Sequence, residues 1–84
     1  MPRVNELKHK YKVKELSELI ESYRTKRGLK QDELAEMVGM SQQNYSRKIK
    51  ANSYKAEDLI LIFDALNMPE EAILEGMMLR REKT

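Results

Sequence analysis

Residues 28–49, GLKQDELAEMVGMSQQNYSRKI, constrain the fold of this chain more than any other stretch. Leu34, Ala35 and Val38 recur at helical spacing, which predicts a short amphipathic helix over 31–38. Gly39 then supplies a residue that tolerates positive φ, and Ser41 can cap the helix that follows. That second helix, about 41–50, shows water a row of amides and bases: Gln42, Gln43, Asn44, Arg47 and Lys50. On a helical wheel Tyr45 and Ile49 fall about 40° apart and should face the core. Gln43, Arg47 and Lys50 are left on the far side, with Gln42 projecting from the helix start. The stretch thus reads as a short amphipathic helix, a glycine-centred tight turn and a second short helix.

The remaining packing has to come from both flanks. Leu16, Leu19, Ile20 and Tyr23 form an i, i+3, i+4, i+7 stripe over a helix at about 15–26, which Gly28 ends. A fourth helix at about 56–66 carries Leu59, Ile60, Ile62, Phe63 and Leu66. A fifth begins at Pro69, where a missing N–H costs nothing, with Glu70 and Glu71 favourable to the helix dipole. No long segment alternates with period two, so the fold class is all-α, a compact five-helix bundle. We divide the chain into a basic N-terminal extension at 1–14, a helical domain at 15–79 and a tail at 80–84. In the extension Val4, Leu7 and Tyr11 suit an added helical turn docking on the bundle, while the bases around them suit an arm reaching a polyanion. Both readings stand.

The net charge of +2 conceals a segregated pattern. Residues 1–14 carry Arg3, Lys8, Lys10, Lys12 and Lys14 against Glu6 alone. Residues 42–55 carry Arg47, Lys48, Lys50 and Lys55 with no acid, whereas 56–79 carry six acids and no base. One basic and one acidic surface on so small a domain would attract and orient a polyanion. At 84 residues only about 60–65% of the unfolded surface can be buried, so one core of modest stability is expected. There is no cysteine, which excludes disulfides and thiolate metal sites and fits a cytoplasmic protein. The longest apolar run, 59–63, is far short of the roughly 20 residues a membrane span requires, and the charged N-terminus lacks a signal peptide's apolar stretch. His9, the single histidine, lies among lysines and reads as solvated. No paired acid and base, nucleophile or metal cluster is apparent, so neither an enzyme nor a cofactor, metal or small-molecule ligand is expected.

In the order and spacing of GLKQDELAE, VGMS and the 59–68 segment with its DALN ending, residues 14–75 resemble the phage repressor and Cro-like helix-turn-helix family of DNA-binding proteins. The resemblance implies a lambda-repressor-like fold in which helix 2 crosses the DNA backbone and helix 3 enters the major groove. It also maps the family's phosphate-contacting glutamine onto Gln31. Three departures from the pattern involve four positions. Lys48 stands where an apolar residue is usual, Ile49 taking over the core contact, and Ala51 replaces the glycine after helix 3. Lys30 and Lys55 occupy cap positions where Ser or Thr is usual, and a lysine cannot accept the N–H bond that a cap supplies.

The chemistry of the exposed row agrees with reading a duplex. An amide presents a donor and an acceptor side by side and matches the N6/N7 edge of adenine, and a guanidinium matches O6/N7 of guanine. The expected base contacts are Gln42, Gln43, Asn44 and Arg47. The expected phosphate contacts are Lys30, Gln31, Ser41, Lys50, Asn52 and Lys55, which set register and affinity without carrying sequence. In the last helix Ile73, Leu74, Met77 and Met78 spread over an arc too wide for one core contact, with Ala72 and Leu79 on another flank. We therefore expect a homodimer through these four residues, on an inverted-repeat operator in double-stranded DNA. The function read from the sequence is a transcriptional regulator of repressor type, from a phage or mobile element. The rival is a protein-binding module on the same scaffold, antitoxin- or inhibitor-like, because a scaffold alone does not assign a site.

Overall fold

The computed structural model describes residues 15–83, so the expectations for the extension at 1–14 lie outside the described residues. Among the described residues five helices follow in order: α1 Leu16–Lys26, α2 Gln31–Met37, α3 Gln42–Ala51, α4 Ala56–Ala65 and α5 Glu70–Lys83. The all-α bundle and its tight-turned pair α2–α3 stand as the sequence predicts. α5 starts one residue after Pro69, whose carbonyl accepts its first bond, from Ile73 N–H at 3.0 Å. At the other end α5 runs to Lys83, past the boundary at 79, through residues of good helix propensity.

The first four helices share one ending. A residue in the left-handed region follows each: Gly28, Gly39, Asn52 and Asn67, with φ of 73°, 77°, 53° and 51°. The N–H of the next residue reaches back to the last turn, as Met40 does to Ala35 (2.9 Å), Ser53 to Lys48 (3.2 Å) and Met68 to Phe63 (3.1 Å). These bonds occupy carbonyls that the helix itself cannot satisfy. A Cβ on Gly39 would meet nothing within 4 Å, so the turn requires glycine for its φ and not for space. Asn52 explains the missing glycine after α3: Ala51 extends the helix, and the asparagine one place later takes the left-handed conformation.

The starts also follow one pattern. Lys30 and Lys55 are the N-cap residues of α2 and α4, and neither side chain caps. Each start is tied by the return bond alone, Lys30 N–H to Glu33 Oε1 at 2.8 Å and Lys55 N–H to Asp58 Oδ2 at 3.1 Å. α3 alone of these three has the forward bond, from Asn44 N–H to Ser41 Oγ at 3.1 Å.

Leu16, Ile20, Leu34, Tyr45, Leu59, Ile62 and Leu66 are the largest fully buried side chains, drawn from four helices. α2 packs on α3 and α4, while α5 lies on α1. That last contact is close because of Gly76, where a Cβ would stand 3.0 Å from Phe63 Cζ and 3.2 Å from Leu16 Cδ1. Arg27 ties the far end, donating from Nε to Leu66 O (2.7 Å) and from Nη2 to Asn67 O (2.8 Å), a cation at the C-terminus of α4. Among the described residues no helix is long and apolar enough to cross a membrane.

Candidate nucleic-acid interface

α3 is fixed along its inner side by polar as well as apolar contacts. Tyr45 is fully buried and Ile49 packs against the core, as the wheel predicts. The Tyr45 hydroxyl donates to Glu21 Oε2 at 2.7 Å, and burial beside that carboxylate raises its pKa. At the other end of α3, Ser17 Oγ donates to Ile49 O at 2.7 Å and is hydrogen-bonded to the Tyr54 hydroxyl, whose pKa burial pushes up to about 12. Lys48 turns toward α4 and pairs with Asp58 at 2.9 Å, both side chains mostly buried. Burial works to raise the Asp58 carboxyl, but the Lys48 ammonium and the Lys55 N–H outweigh it and hold the pKa below its ordinary value. Lys48 is therefore spent inside the fold, and its place in the basic run overstates the charge that α3 shows to solvent.

The outer side of α3 is the opposite. Gln42, Gln43, Ser46, Arg47, Lys50 and Ala51 line a single open depression. Gln42, Gln43, Arg47 and Lys50 are exposed. Among the described residues no hydrogen bond or ion pair engages the side chains of Gln42, Gln43 or Lys50. Arg47 is steadied by Asn44, donating from Nη2 to Asn44 Oδ1 at 2.7 Å. That bond takes one acceptor position of half-buried Asn44 and leaves its amide nitrogen unengaged among the described residues.

The six residues expected at phosphates divide. Lys30, Ser41, Lys50 and Lys55 are exposed. Gln31 is half-buried and donates from Nε2 to Glu21 Oε1 at 3.0 Å. Asn52 is turned away from solvent: its Oδ1 accepts the Ser17 N–H at 2.9 Å and its buried Nδ2 has no partner. We remove Asn52 from the contact set, because the left-handed turn that it makes aims its amide at the start of α1. Of the four residues expected at a dimer interface, Leu74, Met77 and Met78 are exposed, but Ile73 is half-buried against the core. Ile60 and Leu61 of α4 add to the exposed apolar surface.

Sequence reasoning missed Glu21. Its carboxylate receives Arg24 Nε and Nη2, each at 2.9 Å, besides Gln31 and Tyr45. Burial works to raise its pKa, yet these hydrogen bonds together lower it. The available signal was an acid three residues before an arginine on one flank of the α1 stripe, a spacing common enough on solvated faces to be passed over. Among the described residues no three His, Cys, Asp or Glu side chains group as a metal site would require.

Residues 20–73 match the family described as helix-turn-helix, a span that takes in α2, α3, α4 and most of α1. No curated protein and no solved structure matches the chain.

Proposed function

Because this chain belongs to the helix-turn-helix family of phage-repressor and Cro type, whose members are DNA-binding proteins of transcription-regulator type, we propose that it reads double-stranded DNA sequence-specifically through α3 and acts as a repressor of phage or mobile-element origin. One observation carries the reading: the helix whose inner side is fully engaged presents Gln42, Gln43 and Arg47 outward, with Lys50 at its far end. Amide and guanidinium forks are the groups that discriminate base edges in the major groove. Lys30, Gln31, Ser41, Lys50 and Lys55 would hold the flanking phosphates. Repression would come from occupancy of a promoter, set by affinity and concentration.

The exposed apolar residues of α4 and α5 favour a protein partner in addition to DNA. Leu74, Met77 and Met78 of α5 are exposed, as are Ile60 and Leu61 of α4, and such residues suit a second copy of the chain. Two such copies would read an inverted repeat with half-sites about one helical turn apart. The rival protein-binding module would place aromatic anchors on α3, and α3 has only the buried Tyr45.

Selection of bound sites from a random duplex pool, followed by a salt titration of the selected site, tests the reading. A two-fold-symmetric consensus and a steep loss of affinity with salt are expected. Binding to neither selected nor mixed duplex overturns it. Light scattering tests the dimer, which Leu74→Glu should dissociate; a monomer both alone and on DNA removes that part.

A further inference from the structure

We propose that Glu21 is a positioning residue for DNA binding, orienting the Gln31 amide so that its remaining N–H is presented to a backbone phosphate. The inference rests on the reading of this chain as a DNA-binding protein and assigns a role to a carboxylate that the reading leaves unused.

The geometry is specific. Glu21 Oε1 accepts from Arg24 Nη2 at 2.9 Å and from Gln31 Nε2 at 3.0 Å, and Oε2 accepts from Arg24 Nε at 2.9 Å and from Tyr45 Oη at 2.7 Å. Four donors fill the roughly four acceptor positions of a carboxylate. The carboxylate is held from three directions, by α1 itself, by the start of α2 and by the inner side of α3. Arg24 is anchored in turn by its Nη1, which donates to Leu29 O in the loop before α2. Glu21 is thus a fixed acceptor beside Gln31.

A free amide at a helix start can present either its oxygen or its nitrogen to a neighbour. Beside a carboxylate only the nitrogen is favourable, because the alternative sets two acceptors against each other. One N–H of Gln31 is committed to Glu21, and the other N–H remains. A phosphate oxygen is an acceptor and needs a donor, so the orientation that Glu21 enforces is the productive one. The bidentate partner Arg24 offsets the charge of Glu21, so the carboxylate does not set a bare anion behind the phosphate.

Glu21→Gln preserves shape and tests the idea, since an amide offers one acceptor oxygen and brings two donors to a place where four donors already converge. Affinity for a mixed-sequence DNA duplex of about 20 base pairs at low salt is measured for the parent, Glu21→Gln, Gln31→Ala, the double variant and Tyr45→Phe, below the melting temperature of the weakest. Gln31→Ala should weaken binding about threefold to tenfold, the worth of one hydrogen bond. Glu21→Gln should lose a similar factor, and the double variant no more than either single one. Tyr45→Phe removes a different bond from the same carboxylate, so it should lower stability while leaving affinity within about twofold of the parent. Losses that multiply in the double variant, or an equal affinity loss in Tyr45→Phe, make Glu21 merely structural and overturn the inference. Gln31→Ala binding as tightly as the parent overturns it as well. A parent that binds no duplex overturns the DNA-binding reading itself, a result distinct from the other three.

Discussion

The two sides of α3 contrast sharply. On the inner side Tyr45 is fully buried with its hydroxyl on Glu21, Lys48 is paired with Asp58, and the last-turn carbonyl of Ile49 is held by Ser17. On the outer side Gln42, Gln43 and Lys50 are exposed, and no described residue engages their side chains. A helix that reads a groove has to be held rigidly by one side so that the other can be left unsatisfied for its partner. Polar groups do part of the holding here, and that makes α3 directional: a hydroxyl or an ammonium has one correct seat, where an apolar residue of the same size has several.

The comparison predicts that inner substitutions act on stability and outer ones on binding. The largest effect should come from Tyr45→Ala, which empties the most tightly enclosed side chain of α3 and leaves Glu21 one donor short. A loss of about 3–5 kcal/mol in urea unfolding is expected. A loss below about 1 kcal/mol would mean that α3 is not seated by its inner side.

On the outer side, Gln43→Ala and Arg47→Ala should each weaken binding to a selected site by about 1–3 kcal/mol and relax specificity. Unfolding free energies should stay within about 0.5 kcal/mol of the parent. Equal losses on selected and mixed DNA would show that these residues do not read bases. A drop in stability would erase the distinction between the two sides.

Lys30→Thr lies between the two regimes. An acceptor at this N-cap should add about 1 kcal/mol of stability, since Lys30 leaves the forward capping bond unmade. Removing the ammonium should weaken binding to all duplexes alike and flatten the salt dependence by about one unit of slope. Melting curves and a salt titration of one variant check both halves, and unchanged DNA affinity would remove Lys30 from the phosphate contacts.

The smallest effect is on acid stability. Glu21 and Asp58 both have folded pKa values below their ordinary 4.5 and 3.8. Their contribution is complete above those values and is lost as pH falls through the lowered ones, because the unfolded chain takes up protons first. Glu21→Gln with Asp58→Asn should therefore be less stable than the parent at neutral pH but lose less below about pH 4. Parallel pH profiles for parent and variant would show that neither carboxyl is held in the fold.

What could be read from the sequence depended on range. Periodicity within 10 or so residues located five helices, and the wheel correctly separated Tyr45 and Ile49 from Gln43, Arg47 and Lys50. Lys30 and Lys55 stand at the N-caps where the pattern put them, and the return bonds that their N–H groups donate to Glu33 and Asp58 had no part in that pattern. Errors arose where a residue had to choose between solvent and a distant partner. Asn52 was read as facing a phosphate, yet it ends α3 in the left-handed region and receives the N–H of Ser17, 35 positions earlier. Ile73 was grouped with Leu74, Met77 and Met78, yet it packs on the core while the other three remain exposed.

The sequence by itself determined the helical fold, the tight turn at Gly39, the family and which side of α3 faces out. These follow from local sterics and from hydrophobic spacing, which act over a few residues and leave a visible period. Tertiary structure alone decided what Glu21, Lys48, Asn52 and Ile73 do. The three polar residues can each face water or a partner at similar local cost, whereas Ile73 gains by burial, and the choice is made by groups that the other helices bring to them only once the chain has folded.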